Sequence, residues 1–187
     1  MTEPRFKELS EAEMTPEQRR MAQAIISGPR KALRGPFQAL LRSPELGDLV
    51  QQVGAHVRYK SSLPEPLKEF AIMLTARHWT AQYEWFAHRQ IAEKAGLSPA
   101  IGEAVAAGRR PAAMSADETA IYDFATELLG KGEVSDRSFA AVRERWGERG
   151  AVELTCTLGY YSTVAMILNV HRHPIPKEAT PLLPLPR

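Results

Sequence analysis

Three side chains between residues 67 and 96 could carry acid–base chemistry: Glu69, Glu84 and His88. A carboxylate beside an imidazole orients the ring and favours its protonated form, so the pair can deliver a proton near neutral pH. Glu84 and His88 are four residues apart, which makes them neighbours on a helix. On one straight helix, Glu69 would lie about 60° round from Glu84. Spacing alone also fits an ordinary exposed surface pair.

The elements that must position these residues are predicted to be helices. Residues 67–95 contain neither proline nor glycine, and Gly96 ends the stretch. Thr80 could cap a second helix, so the stretch is either one helix or two helices that meet near residues 77–80. No segment shows the period-two alternation of a strand, which predicts an all-α protein. Helix-capping residues occur at five other positions: Thr15, Ser43, Ser98, Ser115 and Ser135.

The rest of the chain is predicted to flank a single helical domain at residues 36–176. Residues 1–35 form an N-terminal arm and helix, and residues 177–187 form an extended, proline-rich tail. The last helix, from about residue 149 to residue 171, is apolar over most of its surface. It should therefore be buried in the core or in a subunit interface, and a homo-oligomer is expected.

The composition is that of an ordinary globular domain, with 44% hydrophobic and 25% charged residues among 187. The net charge is +2, which is too balanced for a nucleic-acid-binding surface. No run of 18 apolar residues suggests a membrane span, and the charged N-terminus lacks the apolar segment of a secretory signal. We therefore expect a cytoplasmic protein with neither nucleic acid nor membrane as a partner.

The cysteine and histidine content limits redox and metal chemistry. Cys156 is the only cysteine, which excludes an internal disulfide and a dithiol redox centre. Because it lies in the apolar last helix, we expect it to be a core residue. The five histidines form no HExxH motif and no Cys/His cluster, so no metal site is predicted.

The stretch 67–96 resembles the signature region of the carboxymuconolactone decarboxylase family, which includes the alkylhydroperoxidase D proteins. The peroxidase pattern Glu-x11-Cys-x2-Cys-x3-His falls here on Glu69, Ala81, Glu84 and His88, so both cysteines are absent. The decarboxylase branch carries Glu-x3-His without those cysteines, as YEWFAH does in this sequence. The resemblance extends over roughly residues 36–176, including the closing segment ELTCTLGYYSTVAMILNV.

The resemblance implies a single-domain helical bundle of the alkylhydroperoxidase D type that decarboxylates a small carboxylated lactone of aromatic catabolism without a cofactor. Loss of carbon dioxide leaves an enolate that must be stabilised and protonated. His88 would be the acid or electrostatic catalyst, with Glu84 and Glu69 setting its orientation and charge. Arg77 would neutralise a substrate carboxylate, and Tyr83 is a further candidate for substrate contact, although core packing would also explain it. Dimers, trimers or hexamers are implied as well.

Two other functions remain open from the sequence. A thiol peroxidase is disfavoured because the motif positions hold no nucleophilic or resolving thiol. A non-catalytic, small-molecule-binding oligomer would keep Glu69, Glu84 and His88 as a buried polar network.

Overall fold

The computed structural model describes residues 3–177 and 179–182. Within these residues the chain is helical and has no strand, which confirms the predicted all-α class. The predicted tail beyond residue 182 lies outside the described residues. A short 3-10 turn at Glu11–Glu13 precedes eight α-helices: α1 (Pro16–Ser27), α2 (Phe37–Leu40), α3 (Pro44–Tyr59), α4 (Glu65–His78), α5 (Gln82–Lys94), α6 (Pro99–Ala106), α7 (Ala116–Lys131) and α8 (Asp136–His171).

Local capping signals place most helix starts where the sequence predicts them. Thr15 and Ser115 each form a capping box with the residue three positions later. Ser135 accepts a hydrogen bond from a backbone N–H in the first turn of α8. Ser43 and Ser98 precede α3 and α6 but form no side-chain cap bond; both helices begin with proline, whose fixed φ suits the first helical position.

The central stretch forms two helices, α4 and α5, rather than one. Thr80 does not cap α5, because it adopts a left-handed conformation with φ of 48°, and the cap position is taken by Ala81. The Ala81 N–H donates to the Ala76 carbonyl at 2.8 Å, which closes the end of α4. After this turn, α5 packs back against α4.

Helix α4 is the centre of the fold. Every residue from Leu67 to Arg77 is buried, and α5, α6, α7 and α8 all pack against this helix. Apolar side chains from these helices, including Phe70, Ile121 and Leu154, form the largest core cluster. Because α4 is enclosed on all sides, the carboxylate of Glu69 lies in the protein interior.

The N-terminal helices add a second apolar cluster beside this core. It joins α1, α2 and α3 through side chains such as Met21, Ile25, Phe37 and Leu40. A third cluster connects α3 and α4 to the end of α8. Helix α3 therefore contributes to both the second and the third cluster, and residues 16–27 pack against it.

Helix α8 is interrupted at Gly147, just before the predicted start of the last helix at about residue 149. Gly147 has a φ of 68°, a conformation that glycine adopts without steric cost, and the helical geometry resumes after it. By length and composition alone, α8 could cross a membrane. Core helices meet the same criterion, and half of its most apolar window is buried, so this is weak evidence for a membrane span.

One side of α8 faces away from the core. Val152, Met166 and Val170 are exposed there. Cys156 is exposed as well, so the prediction that it is a core residue is wrong. The helix is apolar over most of its circumference but packs against the rest of the chain on one side only. Homo-oligomerisation through this exposed side stays a prediction.

Close packing between α3 and α8 depends on Gly54. A Cβ atom at this position would lie 2.1 Å from the Tyr160 Oη. We expect Gly54→Ala to lower the free energy of unfolding by about 1–3 kcal/mol through overpacking, measured by urea denaturation. Gly130→Ala is the matched control, because a Cβ there meets no atom within 4 Å. If Gly54→Ala and Gly130→Ala had the same free energy of unfolding, the close packing of α3 against Tyr160 at Gly54 would be contradicted.

Candidate active site

Glu69, Glu84 and His88 meet in the interior between α4 and α5. The Nδ1 atom of His88 lies 2.6 Å from the Oε2 of Glu69, and its Nε2 atom lies 3.1 Å from the Oε2 of Glu84. The exposed fractions are 0% for Glu69, 4% for Glu84 and 3% for His88. The imidazole ring is therefore held between two buried carboxylates, and the alternative of an exposed surface pair is wrong.

The two carboxylates determine the charge of His88. Burial alone would lower the pKa of this ring, but the negative charge of Glu84 and the hydrogen bond to Glu69 outweigh burial and raise the pKa to about 9. At neutral pH the ring is therefore an imidazolium. Tyr161 packs edge-on against it with the ring centroids 4.9 Å apart, and burial raises the pKa of the Tyr161 hydroxyl well above its ordinary value.

A cavity of about 250 Å³ opens beside His88 and Glu84; we call it the His88 cavity. Glu69 does not line this cavity, so its carboxylate contacts the His88 ring from the protein interior. The walls come from α3, α5, α8 and the segment between α1 and α2. Their polar side chains are Arg30, Arg34, Arg58, Tyr59, Tyr83, Glu84, His88, Tyr160 and Tyr161.

Three arginines make the His88 cavity cationic: Arg30, Arg34 and Arg58. None of them forms a salt bridge with an acidic side chain of residues 3–177 or 179–182. With the imidazolium, four positive groups line the cavity against the single carboxylate of Glu84, which favours an anionic ligand. These three arginines are not predicted as site residues from the sequence. The signal for two of them is the pair Arg30 and Arg34 in a segment, 28–36, that a Gly-Pro dipeptide bounds at each end.

Of the two predicted substrate contacts, the structure places only Tyr83 in the His88 cavity. Tyr83 lines the wall and packs edge-on against His173, with the ring centroids 4.3 Å apart. Arg77 is buried but lines a different pocket, between α4, α6 and α7. It lies eight residues beyond Glu69, about 12 Å farther along the helix axis. The arginines that line the His88 cavity are therefore Arg30, Arg34 and Arg58 and not the predicted Arg77.

No thiol lines the His88 cavity. Cys156, the only cysteine of the sequence, lies on the exposed side of α8 and lines a separate pocket with His56 and Val152. Among the described residues, no group of three or more His, Cys, Asp or Glu side chains is arranged to hold a metal ion. The groups that do line the cavity can transfer protons and stabilise negative charge.

The fold is similar to those of several solved bacterial structures. One is the alkylhydroperoxidase AhpD core of an uncharacterised peroxidase-related protein from Ralstonia eutropha, with a TM-score of 0.76, 15% identity and 95% of each chain covered. Another is a putative antioxidant defence protein AhpD from Agrobacterium tumefaciens, with a TM-score of 0.67, 17% identity, and 78% of this chain and 100% of that chain covered. An uncharacterised peroxidase-related protein from Silicibacter has a TM-score of 0.70 and 11% identity, with 92% of this chain and 93% of that chain covered.

These similarities confirm the predicted bundle of the alkylhydroperoxidase D type. At 11–17% identity they concern the fold alone. No protein-family model and no curated protein matches this sequence.

Proposed function

We propose that this protein is a cofactor-free lyase that removes carbon dioxide from a small carboxylated lactone or a related anionic metabolite. The observation that carries the proposal is a buried imidazolium, His88, held between Glu69 and Glu84 at the wall of a cavity with three arginines. This arrangement combines a proton source with cations that can bind a carboxylate and stabilise an enolate.

Substrate binding would use the arginines of the His88 cavity. A guanidinium group binds a carboxylate through two parallel N–H donors, and Arg58, on α3, lines the same cavity as Glu84 and His88. Arg30 and Arg34 lie in the segment between α1 and α2, where they can contact a second anionic group of the substrate. The tyrosine rings that share the walls suit a flat, conjugated body.

The chemical step would break the bond between the substrate carbon and its carboxylate. The electron pair of that bond moves into the neighbouring conjugated carbonyl and forms an enolate, which the arginines stabilise. A proton from His88, passed through Glu84 at the cavity wall, is then added to carbon as the carbonyl re-forms. Glu69 holds the ring in place and favours its protonated state, and solvent restores the proton.

A thiol peroxidase reaction is not part of the proposal, although two of the structural neighbours are called peroxidase-related. That chemistry needs a thiolate at the reacting centre, and Cys156 lines a different pocket. If the protein consumed a hydroperoxide with a dithiol as reductant, and Cys156→Ala did not, a thiol peroxidase would be favoured instead.

The proposal is tested by assaying carbon dioxide release from a panel of carboxylated lactones and β-keto acids. We expect saturable turnover of at least one anionic substrate. The boiled protein provides the control for spontaneous decarboxylation. If one of these compounds binds saturably but releases no carbon dioxide, the protein would instead be a non-catalytic small-molecule-binding protein. Glu69, Glu84 and His88 would then be only a buried polar network.

Arg58 provides a test of substrate recognition. We expect Arg58→Gln to lower kcat/KM by about tenfold to a hundredfold, because a charge-assisted hydrogen bond contributes roughly 1.5–3 kcal/mol. Arg89→Gln is the matched control on α5, since Arg89 pairs with Glu93 and Glu103 and does not line the His88 cavity. An Arg58→Gln enzyme as efficient as the Arg89→Gln enzyme would exclude Arg58 from substrate binding.

A further inference from the structure

A second pocket, between α4, α6 and α7, has no part in the reaction proposed above. Its volume is about 170 Å³, and we call it the Arg77 pocket. The walls are mostly apolar, and Arg77 is the only charged side chain in them that is buried. The other lining residues are Leu74, His78, Val105, Gly108, Arg109, Tyr122, Thr126, Leu129 and Gly130.

Arg77 is a buried cation that has no counterion within the part of the chain that the structure describes. The side chain is 4% exposed, and its Nε and Nη1 atoms have no hydrogen-bond partner among residues 3–177 and 179–182. Among the same residues, no carboxylate forms a salt bridge with it. Burial lowers the pKa of the guanidinium, which reflects the cost of removing this charge from water. A charge in such a place usually has a partner.

The other buried charges of α4 do have partners. Lys68 donates to the Glu65 carboxylate and to the Arg58 backbone carbonyl. Glu69 accepts a hydrogen bond from His88. Arg77 differs from both because its unpaired guanidinium lies at a pocket, so a bound molecule can supply the missing anion.

We propose that the Arg77 pocket binds a compact monocarboxylate with an apolar body, whose carboxylate pairs with the guanidinium of Arg77. The planar fork of a guanidinium matches a carboxylate. The apolar remainder of the ligand would contact Leu74, Val105 and Leu129, whereas a phosphate would leave oxygens unpaired against these walls. Arg109 and His78 are exposed at the same pocket, and the positive charge of Arg109 attracts an anion to it.

Benzoate is a suitable probe, with neutral benzamide as its matched control. We expect benzoate to shift the backbone amide resonances of Gly108 and Gly130 saturably and to raise the melting temperature, because binding to the folded state stabilises it. Benzamide should do neither. Gly35 lines the His88 cavity, so its amide resonance reports benzoate that binds beside His88 instead.

The decisive variant is Arg77→Met, which fills similar space without a charge. We expect it to weaken the benzoate response of Gly108 and Gly130 at least tenfold, while its melting temperature without benzoate equals or exceeds that of the wild type. Arg109→Gln, at the exposed rim, should keep the affinity within about threefold. Glu84→Gln should keep the full benzoate response of Gly108 and Gly130, because Glu84 does not line this pocket. Benzoate binding at Arg77 can therefore succeed or fail independently of the proposed decarboxylase activity.

Three results would overturn the inference. Benzoate could shift Gly35 alone, which would place it in the His88 cavity. It could bind Arg77→Met as well as the wild type. Arg77→Met could also be markedly less stable than the wild type without benzoate, which would mean that Arg77 already has a structural partner, such as a carboxylate of a second copy of the chain.

Discussion

Glu84→Gln is expected to lower the kcat for carbon dioxide release at least about a hundredfold, the usual contribution of a positioned acid or base. Glutamine has nearly the same shape as glutamate but cannot accept and pass on a proton. Glu84 is the carboxylate that lines the His88 cavity and lies 3.1 Å from the Nε2 of His88. The measurement is the initial rate of release at saturating substrate, with the fold checked by circular dichroism.

Glu93→Gln is the matched control for this substitution. Glu93 lies on the same helix, pairs with Arg89 and does not line the His88 cavity, so its kcat should match that of the wild type. Activity of Glu84→Gln within a few-fold of this control would remove Glu84 from the mechanism. His88→Ala is a less clean test, because it would leave the buried carboxylates of Glu69 and Glu84 together without the cation between them.

The stability of the protein is expected to fall as the pH rises from about 6.5 to about 9. The pKa of His88 is about 9 in the folded protein, against an ordinary value of 6.5. Below pH 6.5 both states hold the proton, and the contribution of the imidazolium to stability is complete. Between pH 6.5 and pH 9 the unfolded state has released this proton and the folded state still holds it, so the free energy of unfolding falls by about 3 kcal/mol over that range. Urea denaturation at a series of pH values measures this change.

His88→Gln separates this effect from the other groups that titrate near pH 9. Its unfolding free energy should change less between pH 6.5 and pH 9 than that of the wild type. His78→Gln, at an exposed histidine on α4, should retain the pH dependence of the wild type over the same range. If all three proteins showed the same dependence, His88 would not be an imidazolium stabilised by Glu69 and Glu84.

Features that depend on nearby residues were predictable from the sequence. Thr15, Ser115 and Ser135 begin helices because a capping side chain bonds to a backbone N–H within its own first turn. Glu84 and His88 pair because one helical turn brings residues four apart together. Such interactions require only the local conformation, so a pattern over a few residues is enough to recognise them.

Features that depend on how helices pack were not predictable from such patterns. Cys156 lies in an apolar helix, yet it is exposed because the rest of the chain covers only one side of α8. Arg77 follows Glu69 on the same helix, yet it lines a different pocket because α6 and α7 cover that end of α4. The arginines of the His88 cavity come from segments far apart in the sequence, which only the tertiary structure brings together.

The residues between 67 and 96 show both cases at once. The sequence by itself determined that this stretch is helical and that Glu84 and His88 share one face. Only the tertiary structure decided that the stretch turns at Thr80, so that Glu69 on α4 meets His88 on α5 at 2.6 Å. The physical reason is distance along the chain: one turn of helix places residues four apart, whereas residues 19 apart meet only when two helices pack.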